Sequence, residues 1–296
     1  MDVYINGSMT PYEEARIAHD DAGFQHGVGL FETMAAHHGR VFRLESHLRR
    51  LAASAEALGL RCDRNEAMLG DAVRQTLHHN ELDEARIRLT FTPGRISLLR
   101  DDPAQRSDPT VLVVATPPVR YDPAFFEQGV MVLIARAATN PFDPAAGHKT
   151  LAYWQRLETL REAATVGAAE AIWLTVSNHL AGGAISNLFL VKNQTLLSPI
   201  ARGEENSGAL PAPVLPGITR SVVIDIAKTL QLPFECRMLD VNDLLEADEI
   251  FLTNSSWQIL PVTRVEKKQI TEGQVGVITQ RLRAAVLERI EEETGS

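Results

Sequence analysis

Apolar and polar positions along the first region of the chain alternate between strand and helix signals. The start, Met1 to Gly7, reads as a short strand and turn. Val28 to Ala36 has strand character, His37-His38-Gly39-Arg40 reads as a turn, and Val41-Phe42 resumes the apolar pattern, which predicts a hairpin. Leu48, Leu51, Ala52, Ala55 and Leu58 then fall at helical spacing within Glu45 to Leu58, and Gly59 ends the run. A second helix fits Glu66 to His78. Strands follow at Ile87 to Thr92 and Val111 to Ala115, joined by Pro93-Gly94 and the charged stretch Arg100 to Asp108.

The pattern is interrupted at Thr116 to Pro123, where three prolines forbid a helix and stiffen the crossing. This predicts an N-terminal α/β domain over residues 1–116, a linker over 117–123 and a C-terminal α/β domain over 124–296. The second domain should hold a strand at Val130 to Ala135, a helix from Leu151 to Thr165 and a strand at Ala171 to Thr175. Ser177-Asn178-His179 reads as a turn into a strand at Ile185 to Val191, and Lys192-Asn193-Gln194 as a hairpin tip before Leu196-Leu197. Ile200 to Pro216 is loop, with Glu204 and Glu205 expected in solvent. A helix from Ile218 to about Leu230, a strand at Glu249 to Thr253 and a closing helix at Gln274 to Glu293 complete the chain.

With 45% hydrophobic and 23% charged residues in 296, the composition is that of a globular chain with a large core. A formal charge of -9 without a basic cluster argues against nucleic acid and anionic membranes as partners. No apolar run reaches spanning length, and the N-terminus lacks the order of a signal peptide, so a cytoplasmic location is expected. Cys62 and Cys236 show no CxxC spacing, which suggests neither a disulfide framework nor a metal site.

Candidate chemistry begins at His148-Lys149-Thr150-Leu151-Ala152-Tyr153-Trp154, after a loop broken by Pro141 and Pro144. A lysine presented this way at the mouth of a helix can be an activated nucleophile that forms an imine with an aldehyde cofactor, or an ordinary solvated lysine. Leu215-Pro216-Gly217-Ile218-Thr219-Arg220 is a glycine turn opening a helix, where Ile218 and Thr219 could receive a phosphate or Thr219 could simply cap the helix. Thr253-Asn254-Ser255-Ser256 offers hydroxyls and N–H groups after a strand, and equally ordinary turn chemistry. Arg50 could supply a bidentate fork to a phosphate or be a surface arginine beside Arg49.

Taken in order, Asp21 to Thr33, His47 to Leu51, Lys149 to Tyr153, Ser186 to Leu190, Leu215 to Arg220, and Asp248 to Ser255 followed by Pro261-Val262 resemble the class IV (fold type IV) pyridoxal-phosphate aminotransferases. That family includes branched-chain and D-amino acid aminotransferases and 4-amino-4-deoxychorismate lyase. The resemblance implies a two-domain α/β (α+β) fold with pyridoxal 5'-phosphate in the cleft between domains, and a homodimer. It implies that Lys149 holds the cofactor as a Schiff base and then moves the proton between the substrate Cα and the cofactor C4′. Arg50, Ile218, Thr219 and Ser255 would bind the phosphate, Tyr153 would stand near the ring hydroxyl, and His26, Phe31, Arg88 and Ser256 would line the substrate pocket.

One position departs from the family pattern. A glutamate is expected five residues before Asn187, where it would pair with the pyridine nitrogen, and this chain has Gly182 there. Each unit by which the nitrogen's pKa falls removes about 1.4 kcal/mol from its protonated form, the better electron sink. A carboxylate from elsewhere, a neutral donor such as Ser177 or Asn178, or weakened chemistry would each account for the glycine. The working expectation is a nitrogen without an acidic partner, so that Gly182→Glu should speed half-transamination. The first functional reading is amino transfer between an amino acid and a 2-oxo acid. Alternatives are a lyase of the 4-amino-4-deoxychorismate type and a cofactor-binding protein with little turnover.

Overall fold

The computed structural model describes residues 1–60, 65–96 and 109–295. Its residues form two compact units, Met1–Val119 with Lys149–Ala152 and Ile290–Ser296, and Arg120–His148 with Tyr153–Arg289. The first break lies between Val119 and Arg120, inside the proline-rich crossing. Lys149–Ala152, expected in the second domain, group with the first unit. Cys62 and the Arg100 to Asp108 connection lie outside the described residues.

In the first unit, β1 (Asp2–Ile5), β2 (Ser8–Pro11), β3 (Leu30–His37), β4 (Arg40–Val41), β5 (Ala85–Thr92) and β6 (Thr110–Thr116) make an antiparallel sheet in the order β2-β1-β6-β5-β3-β4. The short α1 (Ala22–His26) is capped by Asp21, whose carboxylate accepts from Gly23 N. Helices α2 (Leu44–Ala57) and α3 (Glu66–His79) cover one face of the sheet. Their stripes Leu48, Leu51, Val73 and Leu77 pack with Leu30, Met34, Ile87 and Leu89 of the strands in one buried cluster. Each such side chain contributes roughly 1.5–3 kcal/mol on burial, which fixes the register of β3 against α2.

The second unit comprises α4 (Ala124–Glu127), β7 (Val130–Thr139), α5 (Trp154–Thr165), β8 (Glu170–Thr175), β9 (Leu180–Gly183), β10 (Asn187–Lys192), β11 (Thr195–Ser198), α6 (Ile218–Thr229), β12 (Phe234–Cys236), α7 (Val241–Leu245), β13 (Glu249–Asn254), β14 (Gln258–Val265) and β15 (Lys268–Gln269). The closing helix α8 (Val277–Thr294) starts here, and its last residues belong to the first unit. The sheet is mixed, ordered β12-β11-β10-β13-β14-β7-β8-β9, with β15 on β14. Strand pairs β11·β12, β7·β14 and β7·β8 are parallel.

Three local expectations change. Strand β9 reads from sequence as part of a turn, because Ala181, Gly182 and Gly183 lack strand propensity; β8 recruits it through Ile172↔Gly183 and Trp173↔Gly182. Strand β14, where the sequence reading assigns no element, runs through Pro261. The helix expected from Leu151 begins only at Trp154, and Lys149 to Ala152 are instead laid along β3, with a bridge between Leu30 and Thr150.

Candidate active site

In the first unit the site is built on β3. Alternation puts Phe31 and Thr33 on one face and Leu30, Glu32 and Met34 on the other, against α2. The Lys149 strip joins the same strand: Phe31 N donates to Lys149 O at 3.0 Å and Leu151 N to Gly29 O at 3.0 Å. This pairing, rather than a helix start, presents the lysine. Its Nζ lies 4.1 Å from the centroid of the Phe31 ring, and Arg88 Cζ of the neighbouring β5 lies 3.8 Å from the same centroid. Register explains the second contact, since Thr33 faces Arg88 and Phe31 faces Thr90, a diagonal pair on one face. Arg88 Nε also donates to Thr90 Oγ1 at 3.3 Å. His26 ends α1 in an exposed position.

On the opposite face Glu32 is only 1% exposed amid leucines and methionine. Arg50, expected at a phosphate or in solvent, donates Nε to Glu32 Oε1 at 2.8 Å and Nη2 to Oε2 at 2.5 Å. His47 Nδ1 lies 2.8 Å from the same Oε2. His47 and Arg50 are three residues apart in α2, so both reach the carboxylate from one helix face. Burial alone would raise the Glu32 carboxyl, but the Arg50 charge and the His47 hydrogen bond outweigh it and lower it to about 2. Burial pushes the His47 imidazole down against the pull of Glu32, so it stays neutral and its Nδ1–H donates.

In the second unit neighbours of Tyr153, Ser255, Ser256, Ile218 and Thr219 tie their segments to the β9–β10 loop and to the start of β10. Arg156, in the first turn of α5 after Tyr153, donates to Ala184 O at 2.6 Å, with its Cζ 5.8 Å from the Tyr153 ring centroid. Asn254 Nδ2 donates to Ile185 O at 3.4 Å, and its Oδ1 accepts from Ser256 N at 2.8 Å, which shapes the turn carrying Ser255. Asn187 Nδ2 donates to Leu215 O at 2.8 Å and ties β10 to the turn before α6. A Cβ on Gly217 would overlap Asn187 Oδ1, so glycine there permits close approach of that turn to β10.

The resulting start of α6 has Gly217 as N-cap and no capping side chain, so Thr219 does not cap its own helix. Thr253 Oγ1, buried on the strand paired with Asn187, has no hydrogen-bond partner among the described residues. Uncapped helix N–H groups with a buried unpartnered hydroxyl near by are the donor set a phosphate takes, and the residues fit a phosphorylated cofactor.

The segment that follows Gly182 is met by a carboxylate from the neighbouring strand β8. Glu170, fully buried in β8, accepts from Ala171 N at 2.8 Å, Ala184 N at 3.2 Å, Ile185 N at 3.1 Å and Ser186 Oγ at 3.0 Å. Burial raises its pKa, and these neutral donors only partly oppose the rise. Gly182 takes φ +120°, and a Cβ there would sit 3.0 Å from Ser186 O. A glutamate at 182 would therefore be strained, which removes the premise that restoring it is a simple gain. Glu204 is exposed, as expected, and also accepts from Arg220 of α6 with both oxygens at 2.6 and 2.7 Å, which anchors the 200–216 loop.

Sequence reasoning gives no role to Glu32, His47 or Glu170. A carboxylate between two core-facing positions, with His47 and Arg50 at helical spacing in the next helix, is the available signal for the first two. Among the described residues no helix is long and apolar enough to cross a membrane, and no side-chain group could hold a metal ion.

Comparison with known proteins identifies the family. The amino-transferase class IV family matches residues 29–265. The branched-chain-amino-acid aminotransferase of Escherichia coli K12 is 31% identical over 291 residues, covering 96% of this chain and 91% of its own. A crystal structure of the Escherichia coli branched-chain enzyme superposes with a TM-score of 0.89 at 27% identity, covering 99% and 95% of the two chains. A branched-chain amino acid aminotransferase of T.th. origin, solved with pyridoxamine 5'-phosphate, superposes at 0.87 with 25% identity, over 98% and 93%. The chain belongs to the class IV amino-transferases, and is a pyridoxal-phosphate-dependent aminotransferase.

Proposed function

We propose that this aminotransferase takes branched-chain aliphatic amino acids as donors and 2-oxo acids as acceptors, with Lys149 as the residue that carries the cofactor. One observation carries the reading: Lys149 Nζ and Arg88 Cζ both stand at the Phe31 ring, 4.1 and 3.8 Å from its centroid. A reactive amine, a cation suited to a carboxylate and an apolar wall are thereby offered together by adjacent strands. The branched-chain relatives support the aliphatic donor.

When bound, pyridoxal phosphate supplies the electron sink that makes the donor's α-proton removable. Lys149 Nζ would hold the proton that leaves the donor's Cα, acting as base and then acid. Arg50, the N–H groups of Ile218 and Thr219, and the hydroxyls of Thr219 and Ser255 would bind the phosphate. Tyr153 would donate to the ring hydroxyl, and His26, Phe31, Arg88 and Ser256 would line the substrate pocket.

Borohydride reduction followed by peptide mapping should find the adduct on Lys149, and an adduct elsewhere would overturn the assignment. The visible cofactor band should bleach with leucine, isoleucine and valine well ahead of alanine or aspartate; tested in both enantiomers, the same panel fixes the donor's hand. The lyase reading is not favoured, and would return only if pyruvate were released from aminodeoxychorismate faster than any donor bleached the band.

We also propose a cytoplasmic homodimer. Helix α5 leaves Trp154 74% and Leu157 56% exposed, one turn apart, an apolar pair that a second subunit would cover. Light scattering that gave a monomer mass of 32.6 kDa would exclude the dimer.

A further inference from the structure

The Glu32–His47–Arg50 group lies on the α2 side of the first sheet, and its chemistry is unusual for a core. Replacing a buried ion pair with apolar residues of similar volume is often neutral or stabilising, so such a pair is weak evidence of a stability role. What this one does is geometric. Glu32 engages Arg50 by the Nε and Nη2 edge, with both oxygens used. A guanidinium held by one edge in this planar, bidentate way can neither rotate about its own axis nor swing on its stem. The carboxylate is itself fixed, because His47 Nδ1 takes Oε2 from a second direction. The three side chains come from one strand and one face of one helix, both anchored in the same buried cluster.

We infer that Glu32 and His47 are positioning residues that hold the Arg50 guanidinium as a preformed fork, and that the enzyme's preference for a phosphorylated cofactor depends on Glu32. The inference rests on the reading of Arg50 as a phosphate ligand. Without Glu32 the guanidinium keeps its charge but loses its fixed direction, and each binding event must order it again. The loss should therefore fall on the phosphate and spare the rest of the cofactor.

Pyridoxal, which lacks the phosphate and keeps the aldehyde, isolates that difference. Dissociation constants for pyridoxal phosphate and pyridoxal would be measured by absorbance on cofactor-stripped and reloaded enzyme, for the wild type, Glu32→Gln, His47→Gln, Arg50→Ala and the Glu32→Gln/Arg50→Ala double variant. Glu32→Gln should weaken pyridoxal phosphate about tenfold or more, the scale of one charge-assisted hydrogen bond, and change pyridoxal less than threefold. In the double variant the effect should not exceed that of Arg50→Ala alone, because Glu32 acts through Arg50.

Equal weakening of both ligands in Glu32→Gln would mean a merely structural role and would overturn the inference, as would wild-type affinity for both. If Arg50→Ala itself fails to discriminate between the ligands, the phosphate reading of Arg50 falls and takes the inference with it. If Arg50→Ala discriminates and Glu32→Gln does not, only the positioning role falls. Should Glu32→Gln not fold, His47→Gln decides: a phosphate-specific loss of about threefold supports the inference, and none overturns it.

Discussion

Two fully buried glutamates, one in each unit, are driven in opposite directions by their surroundings. Glu32 faces a guanidinium and an imidazole and is lowered to about 2, whereas Glu170 is met by three backbone N–H groups and one hydroxyl and is raised. Burial disfavours both charges; only a full countercharge reverses the outcome. A carboxylate in a core is thus informative less by its depth than by what it touches. At Glu32 the charge orients a neighbour, and at Glu170 the oxygens gather a loop.

The difference can be broken most sharply at Glu32. Glu32→Leu removes the carboxylate that meets the part-buried Arg50 charge, and denaturant unfolding should show a loss of about 3–5 kcal/mol. Gly182→Glu, placed beside the Glu170 loop, meets both a φ of +120° and the Ser186 carbonyl; a loss of roughly 1–3 kcal/mol is expected, with no gain in half-transamination rate. A faster rate at undiminished stability would show that the loop accepts a side chain after all. Glu170→Gln should cost about 1–2 kcal/mol, since its amide NH2 must face groups that themselves donate. Phe31→Leu, which removes the ring shared by Lys149 and Arg88, should be the mildest, at about 0.5–1 kcal/mol.

Acid titration separates the two carboxylates by sign. Glu32 has its folded pKa below its unfolded value of 4.5, so its contribution is complete above 4.5 and is lost as pH falls towards about 2. Glu170 has its folded pKa above 4.5, so the protein is favoured while it is protonated and loses that share as pH rises through the folded pKa. Unfolding free energy measured against pH should lose its acid-limb slope between 2 and 4.5 in Glu32→Leu. The opposite slope, above 4.5, should vanish in Glu170→Gln. Identical profiles in the two variants would refute the contrast.

Much of the first unit is legible because its elements obey simple periods. Strands β3, β5 and β6 alternate, and α2 and α3 carry clean stripes ended by Gly59 and His79, so each element lies within two residues of expectation. The second unit is less so where neighbours rather than sequence decide. Leu180 to Gly183 become a strand only because β8 supplies the ladder, and Pro261 is tolerated within β14. At the site, Lys149 is recognisable but its setting is not: an amphipathic pattern from Leu151 suggests a helix start, while backbone pairing with Gly29 and Phe31 draws the chain out straight. Glu204 reads as solvated since nothing local reveals a partner sixteen residues away in α6.

The strip of residues 149–152 reaches its place in the first unit only after 29 further residues beyond Val119 have been made, and residues 290–296 complete the same unit from the far end of the chain. A polypeptide truncated at the proline crossing would hold six strands and yet lack the segment bonded to Gly29 and Phe31. The two units are therefore interleaved along the gene rather than strung in series, and swapping one of them between relatives requires four junctions to be moved together.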